Sequence, residues 1–440
     1  MRTRGVFAGL SFWLASTLTY AQTIAPVSMN ELDARLAQEA RLEWIERVAL
    51  AGQPSLAESR ARALAAEERA TGAARLPDLE FKYEQWAVPL NRPYALNRAD
   101  TVMFGLRQAF PAPGTRQARE RIANEEAHMF SGQTRVATRD LMVRVRRAFF
   151  EYYVADRVLR LHLEHVGVAE QIVAQVRANY EVGRGDQQDV LKVLVELSRL
   201  HNDLAEIRQQ RESSRLLLNA LMARTPQAPL GPPSEPSLSG AAPSVAELEK
   251  EQATGRPELE LARRAIRRSE ETLSLARSAA RRPSFVVGAD YWLMPTENMP
   301  HAYGAMVMMS LPWLNGARRA DVREAERLLA ADRHAAEATH NTTAFQLHDA
   351  VARLDAARTS FEAIDRSVLP QAEKSMVATR SAFAVGQSSL LSLLDSLRAY
   401  FEVRLEHSRA WSRVMTELAN VDFASGGRVI PTPSIVEDKP

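Results

Sequence analysis

The sequence predicts a mainly α fold of long coiled-coil helical hairpins that carries a transmembrane β-barrel portion, four strands to a chain. Three observations predict it. The chain states one plan twice, its proline-free stretches far outrun globular helices, and four stretches of about ten residues alternate apolar and polar side chains.

The repeat sets the organisation, since a missed repeat miscasts the whole fold. GAARLPDL (Gly72 to Leu79) matches SAARRPSF (Ser278 to Phe285), and FPAPG (Phe110 to Gly114) matches LPWLNG (Leu311 to Gly316), which is one residue longer. YEVGRGDQQDVL (Tyr180 to Leu191) then matches FAVGQSSLLSLL (Phe383 to Leu394) in the same order. Each half reads helix, Pro, alternating stretch, loop, alternating stretch, Pro/Gly turn, long helix, Val-Gly corner, long helix. The plan divides the chain into a first repeat at 22–223, a Pro/Ser-rich linker or irregular segment at 224–244, a second repeat at 245–424 and a tail at 425–440.

The N-terminal element is expected to be a signal peptide, 1–21. Arg2 and Arg4 precede an apolar run from Val6 to Leu18, and small residues stand at Thr19 and Ala21. The run is short of the roughly 20 apolar residues of a spanning helix; the alternative is a buried N-terminal helix. No later stretch is apolar enough to cross a membrane as a helix. The mature chain is therefore either soluble outside the cytoplasm or held in a membrane by strands.

The helices come next. No proline interrupts Thr115 to Tyr180, and one seam runs Leu159, Leu163, Val166, Ala169, Val173, Val176, Tyr180. At about 1.5 Å per residue that helix approaches ~100 Å, against about 8–20 residues for an ordinary globular helix. The spacing of three and four is the coiled-coil pattern. After the corner it resumes at Val190, Val193, Leu197, Leu200, Leu204 and Ile207. The second half repeats this from Ala317 to Phe383, with an expected break at Pro370, and from Ser389 to about Val421. Gly183 and Gly386 are expected to take the left-handed conformation that ends a helix without a Cβ clash.

The strands are read from period two. Leu79, Phe81 and Tyr83 share one face, and Glu80, Lys82 and Glu84 the other. Val102, Phe104, Leu106 and Phe110 lie opposite Gly105, Arg107 and Ala109, and Phe285, Val287, Ala289 and Tyr291 lie opposite Gly288 and Asp290. Tyr303, Ala305, Val307, Met309 and Leu311 make the fourth apolar face. This is the pattern of membrane strands with apolar residues toward lipid and polar ones toward a lumen. It places Glu84, Arg107 and Asp290 in the barrel lumen, and Tyr83, Trp86, Tyr291, Trp292 and Tyr303 near an aromatic girdle. The competing reading of each hairpin is a small half-buried sheet. Four strands cannot close, and lipid does not tolerate open edges. Two chains would give eight strands and a filled interior; three would give twelve and room for a pore.

With these residues in place, the chain resembles the TolC-type outer-membrane efflux and secretion channels over nearly its whole mature length. The resemblance rests on the duplicated helix-strand-strand-helix order, the turns FPAPG and LPWLNG, and the corners YEVGRGDQQDVL and FAVGQSSLLSLL. It implies a homotrimer, with a twelve-stranded barrel in the outer membrane of a Gram-negative bacterium and an α-barrel of helices in the periplasm. It implies docking on a periplasmic membrane-fusion adaptor and energy from an inner-membrane pump, the RND type among the candidates. Val182, Gly183, Arg184, Val385, Gly386 and Gln387 match the family's adaptor-docking tips; read alone, each Val-Gly pair is a helix-ending turn. The family often carries acidic residues just past the second tip as a pore constriction. Here Asp395 fits, Ser392 stands where an Asp is common, and Asp189 is the first-half equivalent of Ser392, so the acidic ring is thinner than the family pattern. For Asp395 the plain alternative is a helix-surface carboxylate.

The remaining composition excludes several classes. The net charge of +2 offers no basic face for nucleic acid. The absence of cysteine excludes disulfides, thiolate metal sites and a lipidated N-terminal Cys. Met294, Met299 and His301 lie in an expected outer loop, where flexible packing competes with soft-metal binding. Met306 and Met308 point to the opposite face from Met309, so they do not converge. His162 and His165 are expected as a solvated or packed surface pair. No acid-base constellation, H-E-x-x-H or G-x-S-x-G is present, which argues against an enzyme and for no cofactor. The alternative function is a periplasmic coiled-coil structural or adaptor protein without a pore.

Overall fold

The computed structural model describes residues 29–86, 90, 101–235, 244–294 and 301–427. The expected signal peptide, Met299, and parts of the linker and tail lie outside the described residues.

Two short helices, α1 (Met29–Gln38) and α2 (Leu42–Gly52), lead into α3 (Pro54–Ala73), then β1 (Glu80–Trp86) and β2 (Thr101–Phe110). Helix α4 (Thr115–Glu181) follows, and α5 (Gln187–Leu221) returns beside it. The second half runs α6 (Val245–Gly255), α7 (Pro257–Arg281), β3 (Phe285–Leu293) and β4 (Ala302–Met309). It ends with α8 (Gly316–Ala363), α9 (Leu369–Ala384) and α10 (Leu390–Ser425). Helix α4 holds 67 residues, about 100 Å of rise. Helix α5 has only 35, so within the first half α4 takes two successive partners, α3 and α5, and from the second half it also packs on α7 and α10.

The expected break at Pro370 does not occur. Helical backbone continues from α8 into α9 through a wide π turn at Ile364–Val368. Proline has no N–H to give, and its ring crowds the carbonyl four residues back. A wide turn immediately before it absorbs the misfit without ending the helix.

The strands form one antiparallel sheet in the order β1-β2-β3-β4. At mid-length, α1 and α2 pack on α4 and α5 around Leu36, Ile45, Phe149, Phe150, Leu218 and Met222. Arg146 is buried there, with Nε 2.6 Å from Glu46 Oε1 and its other arm on Asp422, and so joins α2, α4 and α10. Burial raises the Glu46 carboxyl, with Arg146 opposing. The first stretch of the linker is packed rather than free: the Tyr152 hydroxyl donates to Gly231 O at 2.9 Å. Among the described residues no helix is long and apolar enough to cross a membrane.

Candidate functional site: paired hairpin tips and a two-faced sheet

The two corners are built from the same hydrogen bonds. At the first, Arg184 N donates to Asn179 O at 2.8 Å and Gly183 N to Tyr180 O at 3.0 Å. At the second, Gln387 N donates to Ala382 O at 2.8 Å and Gly386 N to Phe383 O at 3.1 Å. This is the six-to-one, five-to-two closure of a helix by a left-handed residue. Gly183 and Gly386 supply it at φ 72° and 77°. The closure turns Val182 and Val385 outward, 67% and 69% exposed. Arg184 and Gln387 are exposed beside them. Each chain thus presents two nearly identical apolar tips.

The acidic positions lie just past these corners. Asp189 sits 3.9 Å from Lys192, and Asp395 sits 3.8 Å from Arg398. Asp395 is 62% exposed. Ser392 serves the local backbone, where its N–H donates to the Ser389 hydroxyl that caps α10.

A clasp between the hairpins was not foreseen. Arg398 on α10 donates through Nε to Glu196 Oε1 at 2.8 Å, and a second guanidinium nitrogen reaches the other carboxylate oxygen. The Glu196 side chain is 8% exposed, and the Arg398 hydrogen bond holds its carboxyl below the ordinary value. Further along, Arg404 meets Glu164 at 2.7 Å. Between these contacts His165 stacks on Phe401, ring centroids 4.1 Å apart at 13°. His162 Nε2 donates to Leu200 O at 2.8 Å. Both histidines are buried, at 7% and 8% exposure, and so are packed within the molecule rather than at its surface. Burial lowers the His165 pKa to about 4, with His162 and Arg398 adding and Glu196 opposing. A core of Ile172, Val176, Val193, Leu393 and Leu397 joins the two hairpins near the tips. The sequence signal is slight: Glu196 flanks the α5 seam beside Leu197, where a charge is ordinary.

The sheet has two distinct faces. Tyr83, Phe104, Tyr291 and Tyr303 fall in one row across all four strands, with Tyr83 and Phe104 rings 5.4 Å apart. Phe81, Leu106, Val287 and Val307 share that exposed face. Glu84, Arg107 and Asp290 share the other. There Lys82 pairs with Glu84 at 2.5 Å, and the row Lys82, Gly105, Asp290, Gly304 crosses the sheet. Asp290 Oδ1 and Arg107 Nε are buried with no hydrogen-bond partner among the described residues. A Cβ on Gly105 would collide with the Asp290 carboxylate.

Two of the expected girdle aromatics lie on the polar face instead. Trp86 donates to Glu84 there at 3.3 Å, and Trp292 covers Gly304. The alternation of the pleat places both. The His301 imidazole is engaged by the Tyr291 hydroxyl.

The family model described as outer membrane efflux protein matches twice, over residues 46–224 and 248–427. The chain belongs to the outer membrane efflux protein family. Solved structures of the same fold include a membrane protein from Pseudomonas aeruginosa, at 19% identity and TM-score 0.74, covering 88% of this chain and 93% of that one. The outer membrane protein VceC of Vibrio cholerae is similar at 16% identity and TM-score 0.73, covering 88% and 96%. The MtrE outer membrane channel of Neisseria gonorrhoeae, in its open state, is similar at 17% and 0.74, covering 90% and 91%. Among curated proteins none matches in sequence. The fold of this family member is thus that of channels with an α-barrel and a β-barrel portion.

Proposed function

We propose that the chain is the outer-membrane conduit of a tripartite efflux or type I secretion system in a Gram-negative bacterium. One observation carries the reading: a four-stranded sheet with an apolar exposed face and two edges, β1 and β4, each paired on one side only. Lipid would leave those edge groups unsatisfied, so other copies must pair them. Three copies give twelve strands and an open interior, making the assembly a homotrimer with Glu84, Arg107 and Asp290 lining the lumen. Water or a neighbouring chain there would satisfy Asp290 Oδ1 and Arg107 Nε. The helices support the same assembly. Helix α9 buries none of its residues within the chain, and Val377, Leu191 and Val195 stay exposed, as surfaces awaiting a neighbour.

In the trimer six tips form a ring. Val182, Gly183, Arg184, Val385, Gly386 and Gln387 dock on a periplasmic membrane-fusion adaptor, and an inner-membrane pump, of the RND type among others, drives transport. The chain performs no chemistry and conducts passively. Asp395, with Asp189 and Ser392 nearby, lines the constriction, where like charges around a narrow ring concentrate cations.

Planar-bilayer conductance of the purified protein beside an Asp395→Ala variant tests this. Discrete steps in the parent, with altered conductance or divalent-cation block in the variant, are expected. No steps from folded, inserted protein would overturn the conduit reading; steps unchanged in the variant would remove Asp395 from the constriction.

A further inference from the structure

Where the sheet meets α4, α7 and α8 lies an open cleft of about 830 Å³, within the roughly 300–1,000 Å³ of ligand-binding sites. Phe110, Phe285 and Leu311 contribute apolar walls, and Arg119, Arg282 and Arg318 line the same cleft. Arg282 gives one nitrogen to Pro113 O at 3.0 Å, and Arg318 lies 3.4 Å from Asp321. Arg119 makes no ion pair among the described residues. Arg281 and Arg319 stand next to these arginines, exposed and likewise without an ion pair. Asp321 and Glu324 are the carboxylates of the cleft, so three arginines face two acids, with Arg281 and Arg319 just outside the lining.

The cleft also sits at a boundary. The apolar exposed face of the sheet runs down to Leu311, and Trp313 and Leu314 project into solvent just beyond, 51% and 74% exposed. The arginines begin immediately after. An aromatic and leucine step followed by long cationic side chains is the arrangement expected at a headgroup layer.

We infer that this cleft binds an anionic phospholipid of the periplasmic leaflet, its acyl chain against Phe110, Phe285 and Leu311 and its phosphate among Arg119, Arg282 and Arg318. The inference rests on the sheet being membrane-inserted, as proposed above. Guanidinium groups suit it because their planar donor pairs match phosphate oxygens. An uncharged detergent or a zwitterionic lipid lacks the net charge that the surplus positive charge of the cleft would balance. Bound there, the lipid fixes the height at which the strands give way to helices.

Native mass spectrometry of the full-length protein, titrated in uncharged detergent with phosphatidylglycerol or phosphatidylcholine, reads the site directly. Saturable phosphatidylglycerol binding is expected, at least about tenfold tighter than phosphatidylcholine, the loss expected from one charge-assisted contact. The Arg119→Gln/Arg282→Gln/Arg318→Gln variant should lose that preference. Ala279→Trp should block the cleft with every charge kept, since Ala279 lines it. Equal binding of both lipids by the parent, or undiminished phosphatidylglycerol binding in both variants, overturns the site. Insertion into phosphatidylcholine vesicles is scored separately. A parent that inserts but shows no preference fails the lipid site alone, whereas a folded parent that does not insert fails the membrane reading and the site with it.

Discussion

Acidification is expected to loosen the hairpin tips through His165, and the size of the effect follows from its burial. An exposed histidine takes up its proton near 6.5, but His165, stacked on Phe401 and out of water, does so only at about 4. Below pH 6.5 the unfolded chain therefore binds a proton that the folded chain refuses. Stability is complete above that value and falls as pH drops from 6.5 toward 4, by up to about 1.4 kcal/mol per unit. At about pH 5 the loss amounts to roughly 2 kcal/mol. Arg398 holds the Glu196 carboxyl below the ordinary value, so its contribution is likewise lost only toward acid pH, and Glu196 is unchanged in the comparison that follows. Urea denaturation at about pH 7.5 and about pH 5 measures the difference. A His165→Phe variant keeps a ring against Phe401 and cannot titrate, while His162 is common to both proteins. The parent should lose about 2 kcal/mol more than the variant across that interval. Equal losses in the two proteins would refute the assignment.

Three further outcomes follow from the same geometry. Arg398→Ala strands the buried Glu196 carboxylate and should cost about 1–2 kcal/mol, discounted for the partial exposure of Arg398; adding Glu196→Gln should recover part of that cost, and a double variant as unstable as Arg398→Ala alone would argue against the clasp. Gly386→Ala should cost about 1 kcal/mol through backbone strain alone, because a Cβ there meets nothing within 4 Å; thermal melts without a shift would count against it. Ala223→Gly should do the reverse and stabilise by about 1 kcal/mol, since Ala223 holds φ 55° in a closure where Arg224 N reaches Asn219 O at 2.9 Å, as at the two tips. A lower melting temperature in that variant would show that the strain is absent.

Much of the fold was legible because its signals are local and periodic. Period two in four stretches gave four strands, and the spacing of three and four gave the long helices. The corners were legible for a similar reason: a glycine after Val182 and after Val385 is a helix-ending signal that needs no tertiary contact. The errors arose where a local rule had two outcomes. Pro370 forbids one hydrogen bond, but whether the helix ends or widens depends on the turn before it, and Ile364–Val368 widens. Chemistry groups Trp86 and Trp292 with the tyrosines, whereas the pleat assigns faces by counting, and each lies an odd number of residues from Tyr83 or Tyr291.

The clasp was illegible for a deeper reason. Glu196 and Arg398 lie 202 positions apart, and nothing in either helix names the other. Glu196 flanks the α5 seam beside Leu197, an ordinary place for a solvated charge. Arg146 on α4 is the real anomaly, lying four residues after Met142 and three before Phe149 where an apolar side chain would serve packing, and it proves to join Glu46 to Asp422. A buried charge must be paired, because burying it alone costs more than packing returns. A charged residue in a coiled-coil seam therefore predicts that a partner exists without saying which. Glu196 belongs to the first hairpin and Arg398 to the second, so the clasp ties the two quasi-equivalent tips of a chain to each other rather than closing either hairpin on itself. Any motion that separates the tips within one chain must break this contact, while a motion that carries them together leaves it intact.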